Sequence, residues 1–104
     1  MGDSLRITSE KGGYTLTDRA TYLSMKDTLD LTILYEGDKA LLNIYHVITV
    51  NPDKWPNVNY VGAKAFADWI VSKPVQDVIA SFGVDKYGQQ LFIADAGKAE
   101  DEVK

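Results

Sequence analysis

The chain has 104 residues, of which 45% are hydrophobic and 25% are charged, so a single folded domain is the default expectation. Its formal net charge is −4 and no basic patch dominates the sequence, which argues against nucleic acid as a partner. It contains no Cys, which excludes disulfides, thiolate chemistry and zinc sites built on Cys.

The first predicted elements lie on either side of two glycines. Residues 2–11 fit either a strand or a helix, because they alternate around Leu5 while their apolar side chains also share one helical face. Gly12 and Gly13 stand where a helix C-cap is expected. Residues 14–16 fit a short strand, and Thr17 is the predicted N-cap of a short helix over 18–26.

Two strands are predicted in the middle of the chain. Residues 29–35 alternate in their first half and are rich in β-branched side chains. Residues 44–50 are nearly continuously apolar, as in a strand that is covered on both faces. A turn at 36–39 separates the two strands, and Pro52 ends the second.

Two helices and a short extended segment are predicted next. The first helix covers 59–71, with Asn59 as its cap and Trp69 on its apolar, core-facing stripe. The second begins after Ser72 as N-cap, with a proline in its first turn, and ends at Gly83. Its predicted buried face consists of Val75, Val78, Ile79 and Phe82. Residues 90–93 are predicted to be extended, so the order of elements indicates an α/β fold.

One segment concentrates polar chemistry at a predicted helix start. Residues 13–19 carry the hydroxyls of Thr15 and Thr17, the carboxylate of Asp18 and the guanidinium of Arg19. A helix N-terminus exposes free N–H groups and partial positive charge, which suit an oxyanion. Thr15 and Asp18 also fit a capping box with Asp in place of Glu or Gln. From these residues alone, capping and anion binding both remain open.

Other polar residues predict no further chemistry. His46 is the single histidine, lies within an apolar strand and has no nucleophile pattern beside it. Glu36 and Asp38 flank Gly37 as turn carboxylates commonly do. The sequence has no glycine-rich phosphate loop. We therefore predict no enzymatic activity, no metal site and no cofactor.

Several motifs spread along the chain occur together in one known family. They are Tyr14-Thr15-Leu16-Thr17-Asp18-Arg19, Glu36-Gly37-Asp38, Asn43-Ile44-Tyr45, Ser72-Lys73-Pro74-Val75-Gln76 and Gly88-Gln89-Gln90-Leu91-Phe92. With these motifs, the chain resembles the C-terminal part of the tungstate-specific periplasmic substrate-binding proteins of ABC importers. That family is related to the molybdate-binding proteins and has the two-lobed type II periplasmic-binding fold. The first three motifs are the specific ones, whereas the fourth is common to many binding proteins.

The resemblance implies an incomplete two-lobed protein. Residues 1–96 would form the C-terminal portion of a periplasmic-binding-protein-like domain, a mixed sheet with flanking helices, and residues 97–104 a polar tail. Residues 31–35 would end one lobe and residues 44–50 would return to the other. The family's Thr/Ser-rich loop, which lines the anion cleft, has no counterpart here. The chain would therefore carry only part of the site, and we expect weak or no tungstate binding by the isolated chain.

The resemblance also implies ligand, partners and location. The ligand would be tungstate or a related tetrahedral oxyanion such as molybdate, bound by Thr15, Thr17 and Arg19. Thr15 falls where the molybdate-binding relatives place a ligand tyrosine. The partner would be an ABC permease, and the protein would approach the membrane only through it. The parent protein would be periplasmic or extracellular, although Met1 leads straight into sequence of folded type without a signal pattern.

Two further expectations complete the sequence-based analysis. The alternative hypothesis is an effector-sensing domain of a cytosolic transcription regulator, since the same fold serves that role. A swapped homodimer, in which a second copy completes the sheet, is expected when half of a fold is isolated.

Overall fold

The computed structural model describes residues 1–103. Its α-helices, numbered in chain order, are α1 (Gly2–Lys11), α2 (Arg19–Met25), α3 (Tyr60–Ile70), α4 (Lys73–Ser81) and α5 (Val84–Tyr87). Its short 3-10 turns are Lys26–Thr28, Lys39–Leu41 and Glu100–Glu102. Among the described residues, no helix combines the length and the apolar character that a membrane span requires.

The N-terminal segment is a helix, which resolves the ambiguity of its sequence pattern. Gly12 ends α1 in the left-handed conformation, with φ 64° and ψ 37°, as the predicted C-cap requires. Leu5 of α1 and Tyr22 of α2 are both buried, and the two helices are in contact. The Tyr22 hydroxyl donates to the carbonyl of Leu31 at 3.0 Å, which fastens the chain after α2 to this helix pair.

The predicted mixed sheet is not confirmed. Within residues 1–103, no strand or bridge is formed at 14–16, 29–35, 44–50 or 90–93. Most side chains in these segments are open to solvent: Leu34 is 72% exposed and Ile48 is 84% exposed. A strand needs a neighbour for its backbone hydrogen bonds and a second layer over its apolar face. Strand-type segments that find neither within the described chain do not assemble into a sheet.

The two central helices are confirmed at their predicted positions. Asn59 caps α3, because its side-chain oxygen accepts the N–H of Gly62 at 2.9 Å. Ser72 occupies the N-cap position of α4, but its hydroxyl donates to the carbonyl of Trp69 at 2.7 Å and caps no N–H. Gly83 follows α4 with φ 75° and opens the one-turn helix α5, which the sequence analysis did not predict.

The predicted buried face of α4 is not buried: Val75 and Ile79 are half-buried, and the other two residues are exposed. Val78 is 62% exposed and Phe82 is 59% exposed, and Trp69 on the stripe of α3 is 55% exposed. Phe82 does approach Phe92, with ring centroids 6.4 Å apart, and Tyr45 lies 6.5 Å from the same ring. Within the described chain, no second layer of structure packs over these aromatic side chains. The predicted core residues therefore lie on one apolar face of each helix, but that face stays partly open to solvent.

The chain is extended rather than centred on one core. Its Cα radius of gyration is 17.3 Å, whereas a compact domain of this length has about 13 Å. The buried hydrophobic side chains are Leu5, Tyr22 and Val103. Val103 belongs to the segment predicted as a polar tail and follows the 3-10 turn Glu100–Glu102. The described residues therefore form small local clusters and leave broad apolar surfaces open.

Candidate functional site

The polar segment singled out by sequence runs along the open surface between α1 and α2. Tyr14 is 88% exposed and Leu16 is 71% exposed. The hydroxyl of Thr15 donates to the carbonyl of Leu16 at 3.4 Å, and that of Thr17 donates to the carbonyl of Asp18 at 3.2 Å. Both bonds are long for hydroxyl donors, so both hydroxyls are available to a stronger acceptor.

Asp18, and not Thr17, is the N-cap of α2. One carboxylate oxygen of Asp18 accepts both the N–H of Thr21 at 2.9 Å and the hydroxyl of Thr21 at 2.8 Å. Partial burial on its own raises the pKa of Asp18, but these hydrogen bonds outweigh it and the net pKa lies below its ordinary value. The predicted N-cap, Thr17, is therefore wrong by one residue. The predicted capping box is also wrong, because the Asp18 carboxylate binds Thr21 and the Thr15 hydroxyl binds the carbonyl of Leu16.

Arg19 joins two of the sequence motifs. Its guanidinium nitrogen Nη2 lies 2.8 Å from Oε2 of Glu36, and both side chains are about half exposed, 46% and 55%. The two residues are 17 positions apart. The ion pair connects the Thr-rich segment to the Glu-Gly-Asp motif. The turn pattern around Gly37 does not by itself predict this contact of Glu36.

The Glu-Gly-Asp motif forms a turn that is held by a left-handed glycine and by hydrogen bonds of Asp38. Gly37 has φ 86°, a left-handed conformation that favours glycine. Asp38 accepts the hydroxyl of Tyr35 and the N–H of Ala40, and caps the 3-10 turn Lys39–Leu41. The hydrogen bond from Tyr35 lowers the pKa of Asp38 and raises the pKa of the tyrosine. Asp38 is thus engaged within the turn, and Glu36 is the carboxylate that reaches Arg19.

Two concavities lie elsewhere, between α2 and the region of α5. One has a volume of about 530 Å³ and apolar walls that include Phe82, Leu91 and Phe92. The other, of about 460 Å³, is bordered by the 3-10 turn after α2 and by Lys86 and Tyr87. Neither is lined by Thr15, Thr17 or Arg19.

The arrangement can supply hydrogen-bond donors from one side. Two hydroxyls and a guanidinium within five residues suit an oxyanion, which only accepts hydrogen bonds. Such a row on an open surface cannot surround a tetrahedral ion by itself. Among residues 1–103, no group of three or more His, Asp or Glu side chains is placed to hold a metal ion. His46 is exposed and lies 3.8 Å from a Glu100 carboxylate oxygen.

Comparison with known proteins places the chain in a family. The sequence profile described as a PBP superfamily domain matches residues 1–74. The chain belongs to the PBP superfamily. This agrees with the resemblance inferred from the motifs.

Three curated relatives match nearly the whole chain. It is 51% identical over 98 residues to the tungstate-binding protein TupA of Peptoclostridium acidaminophilum, covering 94% of this chain and 34% of that protein. It is 42% identical over 101 residues to a putative ABC transporter anion-binding protein of Haloferax volcanii, covering 92% of this chain and 29% of that protein. It is 39% identical over 102 residues to the tungstate-binding protein TupA of Campylobacter jejuni, covering 94% and 37%.

These relatives are much longer than the matched region. The chain spans about a third of the length of the curated relatives that it matches. No solved structure matches it significantly.

Proposed function

We propose that this chain is part of the oxyanion-binding component of an ABC importer, with tungstate as its ligand. The observation that carries the proposal is the 51% identity, over nearly the whole chain, to a relative named as tungstate-binding. The similarity to a relative named as an ABC transporter anion-binding protein supports the transport role. The proposed role is binding and delivery, not catalysis.

The proposed ligands in this chain are Thr15, Thr17 and Arg19. Tungstate is a tetrahedral dianion, so its binding site must offer several donors and few competing acceptors. The two hydroxyls make only long local hydrogen bonds, at 3.4 and 3.2 Å, which a dianion can replace. The remaining donors would come from the two thirds of the relatives' length that this chain does not span.

The proposed mechanism is closure of two lobes around the oxyanion. In the complete two-lobed type II fold, the strand-type segments 29–35 and 44–50 would join a mixed sheet and link the lobes. Their exposed apolar side chains, such as Leu34 and Ile48, fit that expectation because they lack a covering layer here. An ABC permease would then recognise the closed form, in a periplasmic or extracellular location, and ligand binding would shift the population toward it.

A chimeric protein tests the proposal. The matched 98-residue region of the Peptoclostridium acidaminophilum relative is replaced by that of this chain, and tungstate binding is measured by calorimetry. If the chain carries its share of the site, the chimera binds tungstate with a dissociation constant within about tenfold of the unaltered relative. Sulfate at the same concentration serves as the ligand control. A chimera that has a native circular dichroism spectrum but does not bind tungstate would overturn the proposal.

A further inference from the structure

We infer that the Glu36 carboxylate competes with the oxyanion for Arg19. Glu36 would thereby lower the affinity of this segment for the anion. The inference rests on the proposed function and names a residue that would tune it. The guanidinium of Arg19 is paired with an anionic side chain, the Glu36 carboxylate at 2.8 Å. An oxyanion that approaches Arg19 competes with this carboxylate for the charge and the Nη2 donor of the guanidinium.

The chemistry of the two anions is shared. A carboxylate and a tetrahedral oxyanion both present oxygen acceptors, and a guanidinium fork binds either with charge-assisted hydrogen bonds. Both partners of the present pair are about half exposed, 46% and 55%. Ion pairs in contact with water are weak, so the carboxylate can be exchanged for a dianion without a large rearrangement.

Other carboxylates near this segment are engaged elsewhere. Asp18 accepts two hydrogen bonds from Thr21. Asp38 accepts hydrogen bonds from Tyr35 and Ala40. Among residues 1–103, Glu36 is the one carboxylate within ion-pair distance of Arg19. Competition for this guanidinium therefore comes from a single side chain.

The turn at Gly37 fixes the position of the Glu36 backbone. Gly37 adopts φ 86°, and the hydrogen bonds of Asp38 hold the residue that follows it. Glu36 precedes this turn and is therefore presented to Arg19 by ordered backbone. If Glu36 competes, removing its charge releases Arg19 and strengthens anion binding. If Glu36 instead positions Arg19 for the ligand, removing its charge weakens anion binding.

The opposite signs of these effects allow a decisive test in the chimera described above, because the isolated chain is expected to bind tungstate weakly or not at all. Side-chain ¹⁵N–¹H NMR signals of Arg19 are followed during titration with sodium tungstate, for the unaltered chimera and for its Glu36→Gln variant. The half-saturation concentration is expected to fall by about three- to tenfold in Glu36→Gln. Asp30→Asn is the matched control: it removes the same charge from an exposed side chain that forms no ion pair within residues 1–103, and we expect a change of less than about twofold.

Two results would overturn the inference. An unchanged or higher half-saturation concentration in Glu36→Gln would show that the carboxylate does not compete. In a chimera that binds tungstate by calorimetry, an Arg19 signal that responds in neither variant would show that this guanidinium does not contact the anion. The proposed function is judged separately, by tungstate binding of the unaltered chimera, so failure of the inference and failure of that function are distinguishable.

Discussion

The side chain of Gln76 donates an N–H to the carbonyl of Ile70 at 2.9 Å, which ties α4 to the end of α3. Its amide oxygen accepts the backbone N–H of Ala96 at 3.1 Å. One half-buried side chain therefore joins two helices and the segment that follows α5. Gln76, which entered the sequence analysis only as part of a motif of resemblance, thus has a structural role.

Replacing Gln76 with Ala is expected to loosen this junction. Each lost hydrogen bond lowers the free energy of unfolding by about 1 kcal/mol, so the total loss is about 2 kcal/mol. Hydrogen exchange at the Ala96 amide should also become faster, because that N–H loses its acceptor. Urea denaturation and exchange NMR measure the two effects. Gln89→Ala, at an exposed amide, is the control, and equal stability and exchange in both variants would contradict this role.

Gly83→Ala is expected to destabilise the α4–α5 junction more than Gly88→Ala destabilises the end of α5. Both glycines have left-handed φ angles, 75° and 73°, where a side chain costs about 1–2 kcal/mol. At Gly83 an added Cβ would also lie 2.6 Å from Cδ1 of Leu91, whereas at Gly88 it meets nothing within 4 Å. Thermal unfolding of the two variants separates backbone strain from the clash, and equal losses would show that Leu91 simply moves aside.

Acidification should release the cap of α2. The folded pKa of Asp18 lies below its ordinary value, so its stabilising contribution is complete above the ordinary value of 3.8 and is lost as the pH falls through the folded pKa. NMR shifts of the Asp18 carboxyl and the Thr21 amide should report one shared transition in this range. Asp18→Asn keeps a capping oxygen and should remove the transition at Thr21. A Thr21 amide that titrates unchanged in Asp18→Asn would assign the transition to another group.

Local signals predicted α2, α3 and α4, but they left α1 open between helix and strand and did not predict α5. Asn59, Gly12 and Gly83 mark helix ends through their own backbone and side-chain chemistry, which needs no distant partner. The N-cap of α2 was misplaced because Thr17 and Asp18 are adjacent and both favour that position.

The strand-type segments depend on distant parts of the chain. A β-pattern such as that of 44–50 becomes a strand only beside another strand, which the sequence of the segment cannot guarantee.

The sequence nominates the residues of the proposed site, which stay a prediction, but it does not predict their contacts. Thr15, Thr17 and Arg19 are neighbours in sequence, so one motif could nominate all three. The ion pair between Arg19 and Glu36 spans 17 positions and depends on how the chain folds back after α2. The available signal was the joint occurrence of the Asp-Arg and Glu-Gly-Asp motifs, with complementary charges. Hydrophobic periodicity and helix-capping rules describe local structure, so they do not predict an ion pair between distant residues such as Arg19 and Glu36.

Removing either threonine hydroxyl should weaken tungstate binding in the chimera described above. A hydrogen bond to a charged ligand contributes about 1.5–3 kcal/mol, so Thr15→Ala and Thr17→Ala should each raise the dissociation constant about tenfold or more. Thr15→Ser and Thr17→Ser retain the hydroxyl and should stay within about threefold of the unaltered chimera. Calorimetry measures each value. Binding by Thr15→Ala at full affinity would remove that residue from the proposed ligand set.

The isolated chain should self-associate through its uncovered strand-type segments. Ile48 is 84% exposed and Val50 is 51% exposed in a segment patterned as a buried strand, and unpaired strands of this kind invite pairing with a second copy. Light scattering should therefore give a mass that rises toward that of a dimer with concentration, and circular dichroism should show a parallel gain in β-structure. Ile48→Lys places a charge in the pairing surface and should restore the monomer, whereas Val78→Lys, on the exposed face of α4, should not. A chain that stays monomeric and gains no β-structure at any concentration would contradict this prediction. The strand-type segments would then need the part of the relatives' sequence that this chain does not span, because a second copy does not supply their strand partners.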